Sequence, residues 1–294
     1  MDPKKFTGTG VAIVTPFRKD GSVDFKSLGK LLDHIIKGGV NYVVALGTTG
    51  ESVTLSKDEK KAVVNFVIDS VAGKIPVVVG IGGNNTNEVL DTINHTDFTG
   101  IDAILSVSPY YNKPSQQGLY LHFRAIANAS PVPVIIYNVP GRTGSNITAE
   151  TTVKLATECK SIIATKEASG NLAQVMQIIN TKPKGFLVIS GDDALALPIM
   201  SVGGSGVISV SANAYPAEMS AMIQYSLKGD FNKACALHYK LLEITNALFE
   251  EGNPSGIKAL LEIMKICQNN LRLPMAPVSE KLFGKIEVLA KKVK

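Results

Sequence analysis

The chain has no tryptophan and only three cysteines in 294 residues. Cys159, Cys235 and Cys267 form an odd, unclustered set. That predicts neither a disulfide framework nor a zinc site, and the three read as buried or half-buried thiols. His34, His95, His122 and His238 are scattered over helical stretches with no metal-ligand spacing, so no metal site is expected. No segment approaches the roughly 18 consecutive apolar residues of a membrane span. The stretch from Met1 to Gly8 is short and polar and lacks the apolar run of a signal peptide, so a cytoplasmic protein with no membrane partner is expected. A basic stretch interleaved with aromatics is missing too. Lys and Arg number 30 against 25 Asp and Glu, but they are dispersed, and only Lys291-Lys292-Val293-Lys294 clusters. Nucleic-acid binding is therefore unsupported, although a mildly positive chain still attracts anionic metabolites.

Two enzyme signatures are absent as well. No G-x-S-x-G elbow speaks for a serine hydrolase. The nearest dinucleotide-loop candidate, Gly80-Ile81-Gly82-Gly83-Asn84-Asn85, lacks the third glycine, and Gly203-Gly204-Ser205-Gly206 precedes a strand rather than following one. No sequence repeat of fixed period is evident.

What is present is alternation. With 45% hydrophobic and 19% charged residues, the chain has ample material for a core. Short apolar runs predict strands at Val11–Thr15, Tyr42–Leu46, Val77–Val79, Ala103–Val107, Val134–Tyr137, Ile162–Thr165, Leu187–Ser190 and Val207–Val210. Helical segments intervene, with apolar residues at three- and four-residue spacing, as in Leu28, Leu31, Leu32, Ile35 and Ile36. Ser56 and Glu59 make a capping box that opens one of them. The strands show no polar alternation, which suits strands buried on both faces. Eight such units favour an α/β fold, a closed (β/α)8 TIM barrel, over a doubly wound open sheet. From about Tyr225 the pattern is wholly helical. The expected organisation is a barrel over 1–224 carrying the active site and a C-terminal helical region, 225–294, packed against it.

In such a barrel the chemistry sits at the C-terminal ends of the strands. The unusual residues fall there. Strand 2 exits into Gly47-Thr48-Thr49-Gly50-Glu51-Ser52, and strand 4 into Pro109-Tyr110-Tyr111-Asn112. Strand 5 ends at Tyr137 and exits into Pro140-Gly141-Arg142-Thr143-Gly144. Strand 6 runs out onto Lys166, and strand 7 into Gly191-Asp192-Asp193. Each has an ordinary reading by itself. Lys166 could be a solvated strand end, Thr48-Thr49 a turn, the tyrosines packing with a wet edge, Arg142 a surface cation, and the aspartates helix caps. Their convergence on one face outweighs any one of them. A lysine aimed into such a pocket is a nucleophile once burial lowers its pKa.

Gly47-Thr48-Thr49-Gly50-Glu51, Tyr137-Asn138-Val139-Pro140 and Lys166-Glu167-Ala168-Ser169-Gly170 together resemble the three signatures of the dihydrodipicolinate synthase / N-acetylneuraminate lyase family. Its members are pyruvate-dependent class I aldolases on a (β/α)8 barrel with C-terminal helices. The resemblance covers essentially the whole chain. Ser108-Pro109-Tyr110-Tyr111-Asn112-Lys113-Pro114 and Arg142 are most similar to members that condense pyruvate with L-aspartate 4-semialdehyde in lysine and diaminopimelate biosynthesis. The resemblance implies that Lys166 forms a Schiff base with pyruvate and that Tyr137, Thr49 and Tyr111 carry protons, Tyr111 coming from a neighbouring subunit. It implies that the Thr48 and Thr49 N–H groups hold the pyruvate carboxylate, that Arg142 holds the aldehyde's carboxylate, and that Gly191 and Ile208 line the pocket. It implies no cofactor beyond the covalent adduct, and a homotetramer built as a dimer of dimers. Lysine-inhibited members bind lysine beside Tyr110. Ser52, Asn84 and Glu88 belong to that region here, but Lys57 and Lys60 bring ammonium groups that should repel a cationic effector. Two alternatives stand beside this reading. One is a sibling lyase that cleaves N-acetylneuraminate or 2-keto-3-deoxygluconate, which has other residues at Arg142. The other is a non-catalytic binder of small acids, which needs no amine nucleophile.

Overall fold

Eight parallel strands close on themselves in sequence order in the computed structural model, which describes residues 2–293. They are β1 (Gly8–Ala12), β2 (Tyr42–Ala45), β3 (Val77–Gly80), β4 (Ala103–Val107), β5 (Val134–Asn138), β6 (Ile162–Glu167), β7 (Leu187–Ser190) and β8 (Gly206–Ser209). Helices α1 (Phe25–Lys37), α2 (Lys57–Val71), α3 (Thr86–Asn94), α4 (Gln116–Ala129), α6 (Ala149–Glu158), α7 (Leu172–Thr181), α8 (Ala196–Ser201) and α9 (Pro216–Leu227) form the outer ring. A four-residue helix, α5 (Pro140–Thr143), interrupts the β5–α6 loop. Three helices follow the barrel: α10 (Phe231–Ala247), α11 (Ser255–Ile263) and α12 (Glu280–Val293).

The apolar strands bury both faces, and this produces two cores. Tyr42, Val44, Leu105, Ile135, Tyr137, Ile163, Ile189 and Ile208 fill the barrel interior, while a larger cluster lies between the strands and the helix ring. The predicted capping box is complete: Ser56 N donates to Glu59 Oε2 at 2.9 Å, and Glu59 N to Ser56 Oγ at 3.2 Å.

Three elements differ notably from the sequence reading. β1 begins three residues early, at Gly8, and ends at Ala12. Gly8, Thr9 and Gly10 carry the pairing with Gly206, Val207 and Ile208. Glycine has low strand propensity, so pattern reading passes over it. Here it is required, because a Cβ on Gly10 would lie 2.2 Å from the Tyr42 ring. The second difference is α9, which the sequence reading omits. It starts at Pro216, a residue suited to the first helical turn, and it packs on β1 and α10. β8 likewise covers Gly206–Ser209, one residue before the predicted run.

Candidate active site

The register of β5, β6 and β7 sets the centre of the site. Lys166 is paired with Tyr137 on one side and Ile189 on the other. Tyr137 and Ile189 both belong to the interior cluster, and register partners on neighbouring strands face the same side, so Lys166 points inward as well. It lies inside the strand, which continues to Glu167, and is only 5% exposed. Its Nζ sits 4.2 Å from the centre of the Tyr137 ring. Burial brings the amine down to about 8 from its usual 10.5; the nearby Asp193 carboxylate opposes that shift and the Arg142 charge adds to it. Gly191 makes room for the long side chain. A Cβ there would stand 3.0 Å from Lys166 Cε and 3.1 Å from Cγ.

Burial pushes the Tyr137 phenol up to about 12, against the opposing Arg142 charge and a Thr48 hydroxyl hydrogen bond, with the Asp192 charge adding to the rise. The hydroxyl beside Tyr137 is therefore that of Thr48, not of Thr49 as the sequence reading has it. The two threonines leave the loop in opposite directions. Thr48 is exposed at the barrel mouth, whereas Thr49 is buried and its Oγ1 accepts a 3.0 Å bond from Asn253 Nδ2. The loop's backbone is divided in the same way. The Gly50 and Glu51 N–H groups donate within the loop, to Gly47 O and Thr48 O, both at 3.1 Å. The Thr48 and Thr49 N–H groups donate to no protein group among the described residues. Two adjacent free N–H groups are a place for an anion such as a carboxylate.

Arg142 is exposed on α5 at the mouth of the barrel, and Ile208 lies in the barrel interior, 1% exposed. Tyr111 is 89% exposed, and its φ of 71° is costly for a bulky residue. Its N–H donates to Thr143 O at 3.4 Å, which ties the tyrosine loop to α5. Nearby, Asn84 Nδ2 donates to Tyr110 O at 3.2 Å, which joins those two, while Glu88 Oε1 accepts from the adjacent Asn85 Nδ2 at 3.0 Å. Ser52 opens a short turn, and Lys57 and Lys60 lie on the first turn of α2. No hydrogen bond joins those three to Asn84, Glu88 or Tyr110 among the described residues.

Two residues of the site escaped the sequence reading. Asp192 closes the turn before α8, accepting from Ala194 N at 2.9 Å and Leu195 N at 3.2 Å, and the helix itself has no side-chain cap. Asp193 does not cap. Its Oδ2 accepts from Val210 N at 3.0 Å and Ser211 N at 2.8 Å, which turns a buried carboxylate toward β8 and the lysine. Adjacent aspartates before a helix give no signal for that split. Asn253 is the other, 204 positions from Thr49, and only the fold brings the two together. No group of three or more His, Cys, Asp or Glu among the described residues could hold a metal ion.

Known proteins with this arrangement are numerous. The chain is 50% identical over 288 residues to the 4-hydroxy-tetrahydrodipicolinate synthase of Flavobacterium psychrophilum, covering 98% of both chains. A monomeric dihydrodipicolinate synthase variant superposes with a TM-score of 0.97 at 38% identity, over 99% of this chain and 98% of that one. The chloride-inhibited dihydrodipicolinate synthase of Acinetobacter baumannii, in complex with pyruvate, superposes with a TM-score of 0.95 at 40% identity over 98% of each chain. With residues 5–293 also matching the model of the Dihydrodipicolinate synthetase family, the chain belongs to that family.

Proposed function

We propose that this enzyme condenses pyruvate with L-aspartate 4-semialdehyde to 4-hydroxy-tetrahydrodipicolinate, in lysine and diaminopimelate biosynthesis. The observation that carries the reading is the buried Lys166 amine at the end of β6, with a pKa brought down to about 8. The neutral amine attacks the pyruvate ketone, water leaves, and a Schiff base forms. The imine draws electrons, so a methyl proton is lost and an enamine results. Its carbon attacks the aldehyde, whose oxygen takes up a proton. The amino group of the second substrate then attacks the imine carbon and displaces Lys166 as the ring closes. No metal or organic cofactor enters these steps.

The Thr48 and Thr49 N–H groups hold the pyruvate carboxylate, and Arg142 holds that of the aldehyde with its forked guanidinium. Gly191 and Ile208 line the pocket. Tyr137 passes protons through the Thr48 hydroxyl to Tyr111. The exposure and strained backbone of Tyr111 suit a ring inserted into a second copy of the chain. We accordingly read the protein as a self-associating enzyme, a homotetramer of two dimers, in which 1–224 carries the site and 225–294 supports it. No helix among the described residues is long and apolar enough to cross a membrane, and we assign the enzyme to the cytoplasm.

Reduction with borohydride in the presence of pyruvate is expected to leave a mass adduct on the Lys166 peptide. Its absence overturns the reading. The rate of trapping is expected to rise about ten-fold from pH 7 to pH 9 and then level off, because about a tenth of an amine titrating near 8 is neutral at pH 7. A lysine titrating at 10.5 would instead keep climbing past pH 9. Exchange of Arg142 for alanine is expected to raise half-saturation by the aldehyde ten- to hundred-fold, the size of a lost charge-assisted bond, with pyruvate half-saturation within about three-fold. N-acetylneuraminate is not expected to be cleaved. Millimolar lysine is expected to leave the rate unchanged, since the family resemblance puts the Lys57 and Lys60 ammonium groups where a cationic effector would bind; inhibition at sub-millimolar lysine would contradict this.

A further inference from the structure

We propose that Asn253, in the connection between α10 and α11, is a positioning residue for keto-acid binding: it holds Thr49 so that the Thr48–Thr49 backbone stays shaped for a carboxylate. The inference rests on the pyruvate-binding role given to those N–H groups.

Three consecutive loop residues are tied away from the barrel mouth. Thr49 Oγ1 accepts from Asn253 Nδ2 at 3.0 Å. The Gly50 carbonyl accepts from Thr15 Oγ1 at 2.7 Å. The Glu51 carboxylate accepts from Lys258 Nζ at 2.5 Å and from Arg272 N at 3.1 Å. Asn253, Lys258 and Arg272 all belong to the helical region after the barrel. Asn253 is 6% exposed and Thr49 2%, so water does not compete for their bond. Among the described residues Asn253 Oδ1 is buried with no partner, and the bond to Thr49 is the side chain's only polar tie. The loop's own N–H groups at 48 and 49 are left free by this arrangement. Without the tether, Thr49 would have a buried hydroxyl with its acceptor lone pairs unfilled, and the segment could turn to find water. The cost falls on the state in which the carboxylate is bound, because only there must both N–H groups converge.

The test is borohydride trapping of pyruvate as a function of pyruvate concentration. Asn253→Ala is expected to raise half-saturation about ten-fold, the size of one buried hydrogen bond, and to leave half-saturation by the aldehyde unchanged. T49V, which keeps the side chain's volume but loses the acceptor, is expected to give the same rise. T49S, which keeps the oxygen, is expected to show a clearly smaller rise than T49V. The N253A/T49V double variant is expected to match either single one. Should N253A fail to fold, the T49V and T49S pair carries the test. Wild-type half-saturation in T49V, or effects of N253A and T49V that multiply in the double variant, overturns the proposal. A lowered melting temperature with unchanged half-saturation marks Asn253 as merely structural and overturns it too. A wild-type chain that forms no adduct overturns the functional reading, and this inference with it.

Discussion

Exchange of Lys166 for methionine is expected to abolish pyruvate trapping and, at the same time, to raise thermal stability at neutral pH. The first effect follows from the loss of the amine. The second follows from where that amine is kept. Lys166 is 5% exposed, and burial is the main reason its pKa falls to about 8. Below pH 8 the amine is protonated in the folded and the unfolded chain alike, and the folded chain bears the full cost of a poorly solvated cation. Between pH 8 and 10.5 the folded chain binds fewer protons than the unfolded one, so stability rises with pH there. The difference between the two pKa values corresponds to about 3 kcal/mol at pH 7. Attraction between the ammonium and the Tyr137 ring offsets up to about 2 kcal/mol of that cost. Methionine has a similar shape and no charge, so the net gain is about 1–3 kcal/mol at pH 7, shrinking toward pH 10.5. Melting curves at both pH values check it. A lower melting temperature at pH 7 would show that the site holds its lysine without strain.

Most of the barrel could be read from the apolar runs, because strands buried on both faces leave an uninterrupted hydrophobic signal. The approximate placement of Lys166, Tyr137 and Arg142 followed from the strand ends. What escaped has identifiable causes. β1 is carried by Gly8, Thr9 and Gly10, a pattern that looks like a loop, and Gly10 must be small because a side chain there would meet Tyr42. The threonine pair was legible as a pair, but which hydroxyl meets Tyr137 depends on how the loop turns, and that depends on Asn253. Asp193 is distinguished from Asp192 only by the Val210 and Ser211 N–H groups that the turn after β8 presents to it. Each of these misses involves a partner far away in sequence, which neither periodicity nor spacing encodes.

Exchange of Lys258 for methionine is expected to destabilise the protein by about 3–5 kcal/mol, although methionine fits the same space. The side chains of Lys258 and Glu51 are 0% and 2% exposed, with Nζ and Oε1 2.5 Å apart. The amine also donates to Asn270 O at 2.8 Å and lies 4.2 Å from the centre of the Phe17 ring. Burial lowers its pKa, and the Glu51 charge works against that shift. Removing the lysine leaves a buried carboxylate with one remaining hydrogen bond, from Arg272 N. That carboxylate must then take up a proton, draw in water or pull the loop outward, and each response disturbs Thr48 and Thr49. Half-saturation by pyruvate should therefore rise along with the loss of stability. The E51Q/K258M double variant has no buried charge, and its glutamine oxygen can still accept from Arg272 N. It is expected to recover to within about 1–2 kcal/mol of the wild type, because an apolar or neutral replacement of a whole buried pair costs far less than breaking it. Denaturant titration of the two variants separates the explanations. If the double variant is as unstable as K258M, the loss comes from packing around residue 258 and not from a stranded charge. If it recovers in stability but not in pyruvate half-saturation, the ion pair shapes the threonine loop in addition to neutralising it.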